Sequence, residues 1–198
     1  MTLVFASSNR HKIDEIKFML PEHVQLLSLA DINYIDEIPE TADTIEGNAQ
    51  LKAECIYSFL KNNPAFAQVS GVFADDSGLE VEALNNKPGV YSARYAGEPK
   101  NDAANNTKLL SELINITSRQ ARFKTVICLI SKNKPYFFEG IINGTIAYLP
   151  RGHHGFGYDP LFIPQGYRST FAELGNGIKN SVSHRANAVK KLIAHLSL

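Results

Sequence analysis

Phe73-Ala74-Asp75-Asp76-Ser77-Gly78-Leu79-Glu80 is the stretch on which the reading of this chain turns. Val72, Phe73 and Ala74 form a short apolar run of the kind that drives a strand into a core. Side chains alternate faces along a strand, so Asp75 and Asp76 are expected to point to opposite sides. The residues that follow, Ser77 and Gly78, are turn formers, and a tight turn is expected there. One carboxylate can then face a cleft as a metal ligand or base while the other braces the turn. A plain strand-to-turn corner would use the same residue types.

Upstream, a long helix is expected over residues 44–60, with Ile45, Ala49, Leu51, Ile56, Phe59 and Leu60 on its apolar side. Before it, residues 3–6 read as a buried strand that runs through Ser7-Ser8-Asn9 into a helical pattern of Ile13, Ile16, Met19 and Leu20, closed by Pro21. A second short strand is expected over residues 24–29. Downstream, residues 102–116 read as a helix, and residues 121–131 and 136–146 as strands joined by a hairpin turn at residues 132–135. Residues 152–158 are glycine-rich and irregular. The last helix starts near Ser183 and turns Ala186, Val189, Leu192, Ile193 and Leu196 inward. Helices and strands mix without strict alternation, which predicts a mixed sheet with helices around it.

The chain has 198 residues, enough for one substantial core or a core split into two lobes, and a single domain is expected. Twenty basic and twenty acidic residues cancel, so net charge argues against nucleic acid or an anionic membrane as a partner. Cys55 and Cys128 are isolated in sequence, offer no metal spacing and suit a reducing compartment. No apolar run approaches the roughly 20 residues that span a bilayer, and the amino terminus lacks the features of a signal peptide. A cytoplasmic protein is expected.

Several polar residues stand where chemistry is one account of them and capping, a solvated surface or loop packing is the other. A buried strand turning directly into a helix leaves unpaired N–H groups, a natural anion site. Ser7, Ser8, Asn9, Arg10, His11 and Lys12 surround that point, although capping of the helix by Ser8 or Asn9 would use the same residues. Glu40 precedes the long helix, and within it Asn48 and Lys52 are four apart and share a face. In Gly155-Phe156-Gly157-Tyr158-Asp159 the glycines allow close approach to a flat ligand. Phe156 can stack on a base there, a contact of roughly 1–3 kcal/mol, and Asp159 can accept from a ring edge. The neighbouring His153 and His154 lack chelating partners and are assigned no metal. Lys179, His184 and Arg185 cluster at the entrance to the last helix. Cations are disfavoured at that positive end unless an anion or electron-rich ring lies nearby.

In sum these motifs resemble the inosine triphosphate pyrophosphatase family. The likeness rests on Ser7-Ser8-Asn9-Arg10-His11-Lys12, on Glu40 before Asn48-Ala49-Gln50-Leu51-Lys52-Ala53, and on Ala74-Asp75-Asp76-Ser77-Gly78-Leu79. It continues through Pro88-Gly89-Val90-Tyr91-Ser92-Ala93-Arg94-Tyr95, Gly155-Phe156-Gly157-Tyr158-Asp159-Pro160 and Ser183-His184-Arg185, in that order along nearly the whole chain. The resemblance implies an α/β fold on a long curved mixed sheet, two lobes flanking a nucleotide cleft, and a homodimer. It implies Mg²⁺-dependent hydrolysis of ITP, dITP and XTP to the monophosphate and pyrophosphate. Glu40 and Asp76 would be metal ligands, with Asp76 also the catalytic base. Ser7, Ser8, Asn9, Arg10, His11, Lys12, Lys52 and Ser77 would handle phosphates. Phe156, Gly157, Tyr158, Asp159, Lys179, His184 and Arg185 would hold the nucleoside. Hydrolysis of another nucleoside triphosphate, ligand binding without hydrolysis, and RNA binding through Phe156 are the competing readings.

Overall fold

The computed structural model describes residues 1–197. Seven strands form one mixed sheet in the order β2-β1-β3-β5-β6-β7, with β4 paired to β3 off that path. Strand β1 (Thr2–Phe5) lies parallel to both β2 (Gln25–Leu27) and β3 (Val69–Val81). Strand β4 (Lys87–Pro88) is antiparallel to β3, and β7 (Phe162–Pro164) is antiparallel to β6 (Lys134–Ile146). Between β5 (Gln120–Ser131) and β6, Lys132 and Asn133 take positive φ of 51° and 61°. Two consecutive left-handed residues twist a two-residue turn to match its flanking strands, so this turn is tighter than the four residues expected.

The helices are α1 (Arg10–Met19), α2 (Ile45–Lys61), α3 (Asp102–Glu112), α4 (Phe171–Val182) and α5 (His184–Leu196). Helix α3 stops four residues short of the expected end. Helix α4 was not expected at all, because Gly175-Asn176-Gly177 interrupts the pattern; Gly175 has φ 76° and kinks the helix. It forms nevertheless because Thr170 and Glu173 close a capping box over its first turn. No helix among the described residues is long and apolar enough to cross a membrane.

The expected tight turn after Asp76 is absent. Strand β3 runs unbroken through Asp75, Asp76, Ser77 and Gly78 to Val81. It lies between β1 and β5 in the sheet, with β1 paired to it as far as Phe73 and β4 from Glu80. Being held in an extended strand of the sheet outweighs the local turn preference of Asp, Ser and Gly.

The chain divides into two compact units, and it passes from the first to the second within β3, between Asp76 and Ser77. The first unit holds Met1–Asp76, Thr125–Glu139 and the chain from Ala188 onward; the second holds Ser77–Lys124 and Gly140–Asn187. Each has its own apolar core. In the first, Leu3, Phe5 and Phe73 of the sheet pack with Ile16 of α1 and Val189 and Leu192 of α5. In the second, Leu79, Val81, Phe123 and Phe162 pack with Leu109 of α3 and Phe171 of α4.

Candidate active site

In the first unit the chemistry gathers where β3 passes α1 and α2. Thr44 caps α2 by accepting from the Gly47 N–H at 3.0 Å, and Asn48 Oδ1 accepts from the Ala42 N–H at 2.9 Å. These bonds fold the preceding segment back on the helix and bring Glu40 to its side. Lys52, one turn beyond Asn48, is buried. Its ammonium lies 2.7 Å from Glu40 Oε1 and 3.3 Å from Asp76 Oδ1, while Asn48 Nδ2 donates to Asp76 Oδ2 at 3.5 Å. Asp75, the neighbour on β3, pairs instead with Lys12 Nζ at 3.0 Å. The two adjacent carboxylates thus engage different lysines, as alternation along a strand requires.

Three carboxylates (Glu40, Asp75, Asp76) thus meet two ammoniums (Lys12, Lys52) in these pairs. Burial pushes the Asp76 carboxyl above the usual carboxylate range; Lys52 and Lys12 oppose that, and Glu40 and Asp75 add to it. Burial on its own would lower the Lys52 ammonium, but Asp76, Glu40 and Asp75 hold it above its ordinary value. Lys52 stays charged, and Asp76 is a stronger base than an exposed aspartate.

At the head of α1, Asn9 is the cap, its Oδ1 accepting from the Lys12 N–H at 3.3 Å, and Ser7 Oγ accepts from the Asn9 N–H at 3.2 Å. Ser8, Arg10 and His11 are exposed around this helix start.

In the second unit a different cluster surrounds Phe156. Lys179 of α4 places its Nζ 4.3 Å from the ring centroid and donates to Asp159 Oδ2 at 2.6 Å. The Arg185 guanidinium, 1% exposed, lies 5.9 Å from the same centroid, and its Nη2 donates to Ser77 Oγ at 3.2 Å. His184 is buried and stacked on Phe123, with centroids 4.6 Å apart and planes 13° from parallel. Ser183 Oγ accepts from the Ala186 N–H at 3.2 Å, the expected cap that sets His184 and Arg185 in the first turn of α5.

The loop that carries Phe156 is tightly determined. Asp159 is buried, and its Oδ2 takes the Phe156 N–H at 2.9 Å as well as Lys179. A side chain at Gly155 would place its Cβ 2.0 Å from that same oxygen, at φ +81°, so only glycine lets the carboxylate close over the loop. Buried Tyr158 donates through its hydroxyl to the Ser92 carbonyl at 2.9 Å. Ser92 in turn accepts from the Leu79 N–H at 2.8 Å and donates to the Gly89 carbonyl at 2.6 Å.

Sequence reading missed the amides and carboxylate of α3. Asn105 brackets the 93–96 segment, accepting from the Ala96 N–H at 2.7 Å and donating to the Ala93 carbonyl at 3.1 Å. Asp102, Asn105 and Asn106 fall at i, i+3 and i+4, one helical face; polar residues continuing the side that carries Leu109 were the available signal.

The structure brings Lys12, Glu40, Lys52 and Asp76 together in one group and Ser77, Phe156, Asp159, Lys179 and Arg185 in another: carboxylates with lysines in the first, an aromatic ring with cations in the second. The chain matches the sequence profile of the Ham1 family over residues 3–195 and belongs to that family. It is 54% identical to the dITP/XTP pyrophosphatase of Flavobacterium johnsoniae over 195 residues, 98% of this chain and 96% of that one. It is 46% identical to the dITP/XTP pyrophosphatase of Bacillus subtilis over 193 residues, 96% of this chain and 93% of that one. Among solved structures, the Staphylococcus aureus Ham1 protein superposes with a TM-score of 0.87 at 40% identity, covering 100% of this chain and 98% of that one.

Proposed function

We propose that this protein hydrolyses non-standard purine nucleoside triphosphates (ITP, dITP and XTP) to the monophosphate and pyrophosphate, which cleanses the nucleotide pool. The observation that carries the mechanism is the Lys52 ammonium in contact with both Glu40 and Asp76. One cation already faces two carboxylates there. Mg²⁺ is usually held by one or two carboxylates, with waters and substrate phosphates completing its shell. The residues present therefore fit Mg²⁺, with Glu40 and Asp76 as its protein ligands. When bound, the ion would offset phosphate charge and acidify a coordinated water.

The chain's own residues supply the rest. Asp76, its carboxyl held high by burial, is poised to take the proton of the attacking water. Lys12 and Lys52 offset the charge that builds on the leaving pyrophosphate. Ser7, Ser8, Asn9, Arg10 and His11 at the head of α1, and Ser77, donate to phosphate oxygens. Phe156 stacks on the purine, and Gly157, Tyr158 and Asp159 hold it in place. Hypoxanthine and xanthine carry a carbonyl at C6 where adenine carries an amino group. A donor from Lys179, His184 or Arg185 donates to the first and opposes the second, and such a buried contact can discriminate by roughly 10⁴–10⁵-fold. The family match runs through both units, which supports reading the chain as one functional domain. We place the enzyme in the cytoplasm as a homodimer that binds neither nucleic acid nor membrane.

An end-point assay with ITP and ATP, each with Mg²⁺ and with EDTA, tests this. IMP and pyrophosphate formed from ITP, dependent on metal and far faster than AMP from ATP, are expected. IDP and orthophosphate would move the attack to the terminal phosphate and overturn the mechanism. Tight ITP binding without turnover would make the protein a nucleotide-binding regulator.

A further inference from the structure

The groups given roles above would touch substrate in the proposed reaction; Asp102 and Asn106 of α3 touch the loop that carries Phe156 instead. Asp102, in the first turn of α3, accepts through Oδ2 from the Gly157 N–H at 2.7 Å. Asn106, one turn later, donates through Nδ2 to the Gly157 carbonyl at 3.0 Å. A single helical face thus holds both polar groups of one residue, 55 and 51 positions away in sequence. The helix is itself set by Asn101, whose Oδ1 accepts from the Ala104 N–H at 3.0 Å.

Gly157 needs that grip. Its φ of +62° is left-handed, a conformation glycine enters freely and leaves as freely. A glycine directly after the stacking residue would let the ring swing unless something outside the loop fixes the backbone. Asn106 shows how strongly the contact is favoured. Its Oδ1 is buried and has no hydrogen-bond donor among the described residues, a cost that leucine in the same volume would not carry. The amide is accounted for by its other end, the bond to Gly157.

We infer that Asp102 and Asn106 are positioning residues for purine recognition, fixing the Gly157 peptide and through it the attitude of the Phe156 ring. This rests on the proposed reading of Phe156 as the stacking group. The pair acts on the nucleoside end of the substrate and not on the phosphate chemistry.

The test is steady-state kinetics with ITP, with IMP and with pyrophosphate as separate product inhibitors, on wild type, Asp102→Ala, Asp102→Asn and Asn106→Asp. Asn106→Asp keeps the shape and sets an acceptor against the Gly157 carbonyl. Asp102→Asn keeps an oxygen for the Gly157 N–H, and Asp102→Ala does not. For Asp102→Ala and Asn106→Asp, KM for ITP and the inhibition constant of IMP should each rise roughly tenfold, with kcat changed less than about twofold. Inhibition by pyrophosphate should be unchanged, and Asp102→Asn should restore most of the lost affinity. Equal weakening of IMP and pyrophosphate, or no rescue by Asp102→Asn, would reduce the pair to a general structural brace and overturn the inference. Unchanged IMP inhibition in variants of an active enzyme would do the same. A wild type that makes no IMP from ITP would overturn the functional reading first, and the positioning role with it.

Discussion

The two charged clusters of this molecule rest on similar apolar cores and are built on opposite principles. In the first unit, Glu40 and Asp76 share the Lys52 ammonium and Asp75 pairs with Lys12. In the second, Lys179 and Arg185 lie over the Phe156 ring and Lys179 pairs with Asp159. In the proposed reaction a cation would join the first and a purine carbonyl the second. The first is wired through charged pairs that respond to protonation; the second is set by a backbone loop pinned by fixed hydrogen bonds. Chemistry should therefore fail when the first is altered, and selectivity when the second is.

The sharpest break between them is Asp76→Asn. The amide keeps the shape and one of the two acceptor oxygens that face Lys52 and Asn48, but it cannot take a proton. Turnover of ITP should fall by about 10²–10⁴-fold, the range general-base removal usually gives, with thermal melting near wild type. A near-normal kcat would remove Asp76 from the mechanism.

Next in size is Lys179→Met. It deletes the ammonium from a pair whose side chains are 2% and 3% exposed and leaves the buried Asp159 carboxylate without that counter-charge. Breaking one side of such a pair costs about 3–5 kcal/mol. Denaturant unfolding should show that loss in the second unit, whereas Asp159 and Lys179 replaced together by apolar residues should recover much of it. No recovery in the double variant would mean the pair is not the source of the cost.

How much of this was legible in the residues follows the same divide. Asp76, Lys52 and Asn48 could be placed because strand alternation and helical four-residue spacing are local rules, Glu40 only from its place before the helix and the family resemblance, and the structure brings these residues together. The turn expected after Asp76 failed because a strand's fate depends on its neighbours in the sheet, and β5 lies far from it in sequence. Helix α4 was hidden by Gly175 and Gly177, whose propensity says nothing of the capping box that starts it. Asp102 and Asn106 act on Gly157 across more than 50 residues, a contact no local pattern encodes. What local physics writes in one segment was readable; what two distant segments make together was not.

Arg185→Ala is the corresponding probe of selectivity. The guanidinium is 1% exposed, held over Phe156 and bonded to Ser77, so its donors are fixed before any ligand arrives. Its removal should erode the ITP/ATP ratio of kcat/KM by roughly 10–100-fold, the effect of one charge-assisted hydrogen bond. An unchanged ratio would pass the discrimination to Lys179, His184 or a backbone N–H.

The smallest effect separates the clusters most cleanly, because it is read in pH. As a base, Asp76 works only when deprotonated, so kcat/KM should fall as pH drops through its pKa. Burial sets that acid limb above the ordinary carboxylate range, and the Lys52 ammonium, held charged by Asp76, Glu40 and Asp75, pulls it partly back down. Lys52→Met removes the largest opposing charge while Glu40 and Asp75 continue to push upward. The residual activity should then show an acid limb displaced to higher pH. Arg185→Ala, made in the other cluster, should lower selectivity and leave the limb in place. An unmoved limb in Lys52→Met would mean that it belongs to a group other than Asp76. A limb displaced equally by both variants would mean that the two clusters titrate as one.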